Sequence, residues 1–499
     1  MPSPRTETTD RSHALADTLD VLIIGAGFAG LAIGRQLKTA GIKDFAILDR
    51  ADGVGGVWRA NTYPGAACDV PSHLYSFSFF LNPDWSRKFS PQVEILAYLE
   101  RAADAFGLRP HLYFQHVVDS LAFQPEAGRW RVTLASGRTI EARVVVSAVG
   151  QLAEPAWPAI KDADRFQGPT IHSARWDRTA GLAGKRVAVI GNAASAVQLL
   201  PELAANAEQL TIFQRTPNWV IDKPDRQFTR FERWAFRMIP GWQRLYRLIS
   251  FLIHESRYSA FVKNSLASDF TRWRLKRRLK SKVKDPDLRA MLTPDYPPGC
   301  KRILLSNDYF DVVQRSNVRL VTRRAARLEA DAVITPDGER IAADAIVFAT
   351  GFKATDFLAG LDVAGRDGRT LKSVWGESPK AYRGVAVSGF PNLFMLYGPN
   401  TNLGHNSIIF MLERQSEYVR KQIERILAED LSALEVTEAA QSAFNTQLQK
   451  KLKRTVWAAD CPSWYKTADG VITNNWHGHA LEFAQTLSSA DEAAWLAYK

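Results

Sequence analysis

Apolar positions along the chain fall into two alternating patterns. Val21–Ile24 is a short unbroken apolar run. It is followed by glycines and then by Leu31, Ile33 and Leu37 at helical spacing. Such a run predicts a strand buried on both faces, and the spacing after it predicts an amphipathic helix. Phe45–Leu48 predicts a second buried strand, ending at Asp49. The strand–turn–helix pattern returns at Lys185–Ile190, continues as GNAASAVQLL, and leads to a strand at Gln209–Phe213. Trp130–Leu134, Arg143–Ala148 and Asp344–Ala349 predict further strands, the last running into Thr350 and Gly351 and returning the chain to the first domain. Strands alternating with helices predict an α/β fold with two doubly wound, Rossmann-like domains.

Each predicted turn carries chemistry. Gly25, Gly27 and Gly30, with Phe28 between them, form G-x-G-x-x-G between a strand and a helix. The glycines permit a tight turn, a close backbone approach to a pyrophosphate, and close packing of helix on strand. Asp49 ends the next strand, where a carboxylate accepts from ribose hydroxyls and repels a 2′-phosphate. The first ligand is therefore FAD or NAD. Gly55 and Gly56 extend this surface, and Trp58, Tyr63, Pro64 and Tyr75 offer flat walls that favour a flavin. The second turn has Gly191, Asn192 and Ser195, but Ala193 replaces the middle glycine and brings a methyl group towards a pyrophosphate. Arg215 and Thr216 follow the next strand. A guanidinium there accommodates a 2′-phosphate, which predicts NADPH.

The predicted layout is a flexible leader at residues 1–19 and a first FAD-domain segment at 20–155. The NADP domain follows at 156–330 with a helical insertion at 224–295, and 331–499 completes the FAD domain and the C-terminal region. Within the insertion, Leu245, Leu248, Ile249 and Leu252 recur at helical spacing. The formal net charge is +12. Residues 226–284 hold 16 Lys plus Arg against 3 Asp plus Glu, a local excess of 13 that accounts for all of it. Because the charge is local, nucleic acid is not the expected partner. The basic stretch Arg272–Lys284 reads as the solvated face of a helical cap. Its sharper alternative is a weak contact with an anionic membrane surface. No apolar run approaches the ~18 residues of a membrane span, and the N-terminus lacks a signal-type apolar stretch, which predicts a cytoplasmic protein. Cys68, Cys300 and Cys461 are far apart. They predict neither a disulfide framework nor a metal cluster, and no metal is expected.

Between the two turns lies FQGPTIHSARWD, with Phe166, Gly168, His172, Trp176 and Asp177 at fixed spacing. This F-x-G-x-x-x-H-x-x-x-W-D pattern, and G-G-x-W-x-x-x-x-Y-P-G-x-x-x-D at Gly55–Asp69, resemble the fingerprints of the type I Baeyer–Villiger monooxygenases. FQRTPNW at Phe213–Trp219, CKR at Cys300–Arg302, ATGF at Ala349–Phe352 and GPN at Gly398–Asn400 also match. The resemblance runs from about Val21 to Trp476.

The resemblance implies FAD and NADPH as cofactors. It implies insertion of one oxygen of dioxygen beside a ketone carbonyl, giving an ester or lactone through a C4a-peroxyflavin. Arg302 matches the family's anion-stabilising arginine, and Asp69 matches the carboxylate paired with it. Lys301 matches the residue joining Arg215 on the 2′-phosphate, and Trp464 a tryptophan near the NADP ribose and substrate. His172 is implied to couple the two domains as NADP moves. Two alternatives stay open: an N- or S-oxygenating flavin monooxygenase, and a non-catalytic FAD/NADP-binding protein, for which Ala193 is the best support.

Overall fold

The computed structural model describes residues 14–461 and 463–499. Two parallel-sheet cores organise it. The first sheet runs Asp362–Ala364, Val118–Gln124, Arg129–Leu134, Thr139–Ser147, Thr18–Ile24, Phe45–Asp49, Leu112–Phe114, and Leu393–Met395 also pairs with Thr139–Ser147. Its centre is apolar on both faces, as the unbroken runs require: Val21, Leu22 and Ile23 are fully buried. Burying each such side chain contributes about 1.5–3 kcal/mol. The helices Phe28–Thr39 and Ile408–Ala428 share the core on one face of this sheet.

The second sheet has five strands, all parallel, in the order Val318–Val321, Gln209–Phe213, Arg186–Ile190, Ala345–Phe348, Thr170–His172. The helix Ala194–Asn206 buries Val197, Leu199, Leu200 and Leu203 against it.

Two predicted boundaries move. Residues 1–13 of the expected leader lie outside the described residues. Leu15 and Leu19 are already buried and the first strand starts at Thr18, ahead of residue 20. The apolar strand Ala345–Phe348, expected in the first domain, is a central strand of the second sheet. A strand buried on both faces carries no mark of the sheet it joins, so the second domain closes near residue 348 and not 330. The chain crosses between domains twice, side by side: Ala156 N–H donates to Gly351 C=O at 2.9 Å, and Pro155 bridges Phe352.

The insertion is helical at Arg230–Met238, Trp242–Ser256, Leu266–Lys282 and Pro286–Met291. No helix among the described residues is long and apolar enough to cross a membrane.

The absence of a disulfide is also corrected. Cys300 and Cys461 are joined, 161 residues apart, and Cys68 is free and buried. Sequence spacing could not show that the fold brings the two chain segments together. The bond removes cysteine usage as grounds for inferring a reducing compartment.

Candidate active site

The two glycine turns have the same backbone. Gly25 and Gly191 sit at φ +111° and +109°, a region that L side chains rarely adopt. A Cβ at either would also strike the carbonyl ending a neighbouring strand, Ala148 O at 2.5 Å or Ala349 O at 2.4 Å. Gly27 and Ala193 then cap their helices at φ, ψ of −85°, −163° and −84°, −160°. Alanine is therefore unstrained at 193, and its methyl group matters only for what approaches the turn. Neither helix has a side-chain cap, so backbone N–H groups of the first turn remain available to an anion.

The second glycine pair folds onto the first turn. Gly55 N–H donates to Ala26 C=O at 3.0 Å. A Cβ on Gly56 would lie 3.2 Å from the Gly27 α-carbon, and a Cβ on Gly30 would lie 1.8 Å from Gly25 O. These close approaches hold the two glycine segments backbone to backbone. Asp49 fixes the turn by accepting from Ala26 N–H at 2.6 Å and Ala51 N–H at 2.8 Å. Phe28, Trp58 and Tyr75 gather beside it, with the Trp58 indole donating to the Tyr75 hydroxyl at 3.2 Å. Burial raises the Tyr75 pKa far above its ordinary value, so this hydroxyl stays protonated.

At the second turn Asn192 spends its amide on the protein. It donates to Gln214 at 2.8 Å and to Thr216 C=O at 3.0 Å, which draws the Arg215–Thr216 segment to the turn. Short parallel strands at Val220–Ile221 and Leu304–Leu305 bring Lys301 and Arg302 alongside. Burial and then the Arg215 charge lower the Lys301 pKa, and the Lys301 ammonium lies 4.7 Å from the Tyr296 ring. Burial pushes the Tyr63 pKa up to about 12, with Ser195 in the first turn of the helix after Ala193 acting in the opposite direction.

Arg302 and Asp69 meet as predicted. Arg302 Nη2 donates to Asp69 Oδ2 at 3.2 Å. Asp69 is 8% exposed and Arg302 46%, so an exposed guanidinium rests on a buried anchor. Desolvation opposes the Arg302 charge, but Asp69 and then Tyr465 outweigh it, and the pKa rises. Two residues of this network escaped the sequence reading. Lys223 Nζ lies 3.5 Å from Asp69 Oδ1, and Gln198 Nε2 donates to the same oxygen at 3.3 Å. Gln198 also receives the Tyr63 hydroxyl at 2.8 Å, so a second-domain helix holds the first-domain loop. The signal for Gln198 was a lone amide inside the apolar run AVQLL; Lys223 had none. A cavity of about 940 Å³ opens at this domain seam, lined in part by Tyr63, Gly65, Trp176, Gln198 and Lys223. Neither glycine turn is among its lining residues.

The remaining predicted residues lie around the domain crossing. His172 is buried, its Nδ1 accepting from Ala174 N–H at 3.1 Å and its Nε2 lying 3.4 Å from the Thr350 hydroxyl. Thr350 in turn donates to Ala156 C=O at 2.6 Å, so the imidazole touches both crossings. Desolvation lowers its pKa and keeps it neutral. Phe166 is buried, and a Cβ at Gly168 would lie 2.2 Å from Asp344 O. Trp176 packs on the second core, and Asp177 accepts from Thr179 N–H and hydroxyl at 2.8 and 2.6 Å. Trp464 is 37% exposed with its ring 4.4 Å from that of Tyr465. The Cys300–Cys461 bond ties the Lys301–Arg302 segment to the segment bearing Trp464.

A separate knot joins Glu255, His405 and His479. The carboxylate already accepts from Asn406 at 2.7 Å and Leu481 N–H at 3.2 Å, with the imidazoles at 3.5 and 3.3 Å. It clamps the insertion to the two C-terminal segments.

Residues 18–360 match a family described as flavin-binding monooxygenase-like. A Baeyer–Villiger monooxygenase from Streptomyces coelicolor is 44% identical over 477 residues, covering 95% of this chain and 92% of that protein. A solved steroid monooxygenase bound to NADP superposes with a TM-score of 0.86 at 31% identity, covering 97% of this chain and 100% of that one. OTEMO in complex with FAD and NADP gives 0.87 at 26% identity, covering 96% and 99%. The chain belongs to the flavin-binding monooxygenase-like family, among its Baeyer–Villiger monooxygenases.

Proposed function

We propose that the protein oxidises a ketone to an ester or lactone with NADPH and dioxygen, using FAD held in the first domain. The observation that carries this reading is the Arg302–Asp69 pair, a cation held on a buried carboxylate next in the chain to Lys301, whose pKa the Arg215 charge helps to lower. The packed glycine segments at Gly25–Gly30 and Gly55–Gly56 suit a close approach of pyrophosphate to backbone, with Asp49 holding the turn and Phe28, Trp58 and Tyr75 beside it for a flavin. The uncapped helix after Gly191 and the Arg215–Lys301 pair suit a second dinucleotide with a 2′-phosphate.

The first glycine turn, Asp49, Trp58 and Tyr75 would hold FAD, which would supply the redox chemistry with NADPH and dioxygen. Arg302 stabilises the negative charge that develops on oxygen as the carbonyl is attacked, and it stays charged at any working pH. Asp69 orients Arg302, and Lys223 and Gln198 orient Asp69. His172 links the two crossings, so a shift of one domain is felt at the other. Trp464, beside Tyr465 on the disulfide-tethered segment, would help to exclude water.

Incubating FAD-loaded protein with NADPH and a panel of linear, cyclic and aromatic ketones, with mass spectrometry of the products, tests the reading. Esters or lactones containing one atom of labelled dioxygen are expected. Oxygenation of amines or sulfides only, or NADPH consumption unchanged by any ketone, contradicts it.

A further inference from the structure

The helix Trp242–Ser256 is inverted. Several of its polar residues face the protein: Gln243 donates to Asn82 C=O at 2.7 Å, Arg247 donates to Ser76 C=O at 2.9 Å, and Glu255 is buried in its knot. Phe251 is buried with them, but most of the helix's aliphatic residues face outwards. Leu245, Leu248, Ile249, Leu252 and Ile253 form an i, i+3, i+4, i+7, i+8 stripe, each between 46% and 52% exposed. Two further helices of the insertion expose aromatic pairs. Phe231 and Trp234 stack on Arg230–Met238, and Phe270 and Trp273 stack on Leu266–Lys282, all at least 52% exposed. Single exposed apolar residues need no explanation, but a five-residue stripe with two exposed aromatic pairs in the same insertion marks an interaction surface.

We infer that this exposed surface of the insertion lies on an anionic lipid bilayer and is the side from which lipophilic substrate reaches the protein. Charge selects the occupant. Arg244, Arg257, Lys263 and Arg274 are exposed around the stripe and make no ion pair among the described residues. Two copies of the chain meeting on this face would confront one local excess of positive charge with another. An anionic bilayer instead accepts both the apolar stripe and its cationic rim, and exposed tryptophans suit its interface. The helices lie on the membrane without spanning it.

The face also leads inwards. Ile249 and Ile253 form part of a cavity of about 200 Å³ whose other walls include Pro71 and Phe89. The Lys223 ammonium, which pairs with Asp69, lies 5.3 Å from the Phe89 ring. The substrate class is therefore a ketone dissolved in lipid. That clause rests on the proposed ketone oxidation, whereas membrane docking does not.

Vesicle flotation of the FAD-loaded protein separates the outcomes. Binding to vesicles of phosphatidylcholine with a quarter phosphatidylglycerol is expected, with little binding to phosphatidylcholine alone and weakening at high salt. The double variant Leu248→Glu/Leu252→Glu should keep its flavin content and lose roughly tenfold or more of this binding. Protein that stays in solution with anionic vesicles, or a double variant that floats as well as wild type, overturns the inference. So does a wild-type dimer in sedimentation that the double variant dissociates, which would assign the face to a second copy. Flotation requires no turnover, so its result stands whether or not any ketone is oxidised.

Discussion

Arg302 donates to Asp69 across 233 residues of sequence, and Lys223 approaches the other oxygen of the same carboxylate. One buried acid thus sits between two cations, of which Arg302 is the more exposed, 46% against 12% for Lys223. Asp69→Asn would keep the shape and remove the charge that orients Arg302. Its ester-forming rate should fall by about tenfold, less than for loss of the guanidinium itself. Flavin content should not change. Product yield measured beside the flavin spectrum checks both.

Lys223 is a positioning residue for that carboxylate. Lys223→Met should lower kcat while leaving NADPH affinity unchanged, because Lys223 touches Asp69 and not the Arg215–Lys301 pair. Lys223→Arg should restore part of the rate. A KM change for NADPH with unaltered kcat would contradict this role.

Coenzyme choice should depend on Arg215 and on pH. Losing a charge-assisted phosphate contact costs about 1.5–3 kcal/mol, roughly tenfold or more in affinity. Arg215→Ala should therefore lose most of its preference for NADPH over NADH. Burial and Arg215 lower the Lys301 pKa, so its charge is lost at a lower pH than in an ordinary lysine. The preference should be full where Lys301 is protonated and decline as pH rises through its lowered pKa. Lys301→Arg should remove that decline. Steady-state kinetics with both coenzymes across pH provide the measurement.

The disulfide couples the cation segment to the Trp464 segment. Cys461→Ser should lower stability by about 2–4 kcal/mol. It should also raise the fraction of NADPH consumed without ester, because the tethered segment no longer excludes water. Thermal denaturation and hydrogen peroxide release, each with and without reductant, check the pair of effects.

Local pattern made the two glycine turns legible, because strand, turn and helix are consecutive in the chain. Gly25, Gly191 and the strand Gln209–Phe213 fall where the periodicity puts them. What depended on the third dimension was hidden. Ala345–Phe348 reads as any buried strand, and only its pairing with Arg186–Ile190 reveals its sheet. Lys223 is an ordinary lysine until two short parallel strands bring its neighbours beside Arg302. Cys300 and Cys461 give no local sign of each other. The inverted helix showed its apolar stripe in the sequence, but the direction of the stripe came from the polar contacts behind it.

The most direct test is Arg302→Ala, followed by rapid-mixing measurement of flavin reduction by NADPH and by product analysis with a ketone. Hydride transfer does not develop the charge that Arg302 holds, so reduction should persist with flavin bound. Carbonyl attack does develop it, and removing one preorganised donor costs ~3–4 kcal/mol, about 10²–10³ in rate. Ester should fall at least that far, and Arg302→Lys should recover only part of it, because a point charge lacks the planar fork. Ester formed by Arg302→Ala at the wild-type rate would contradict the account.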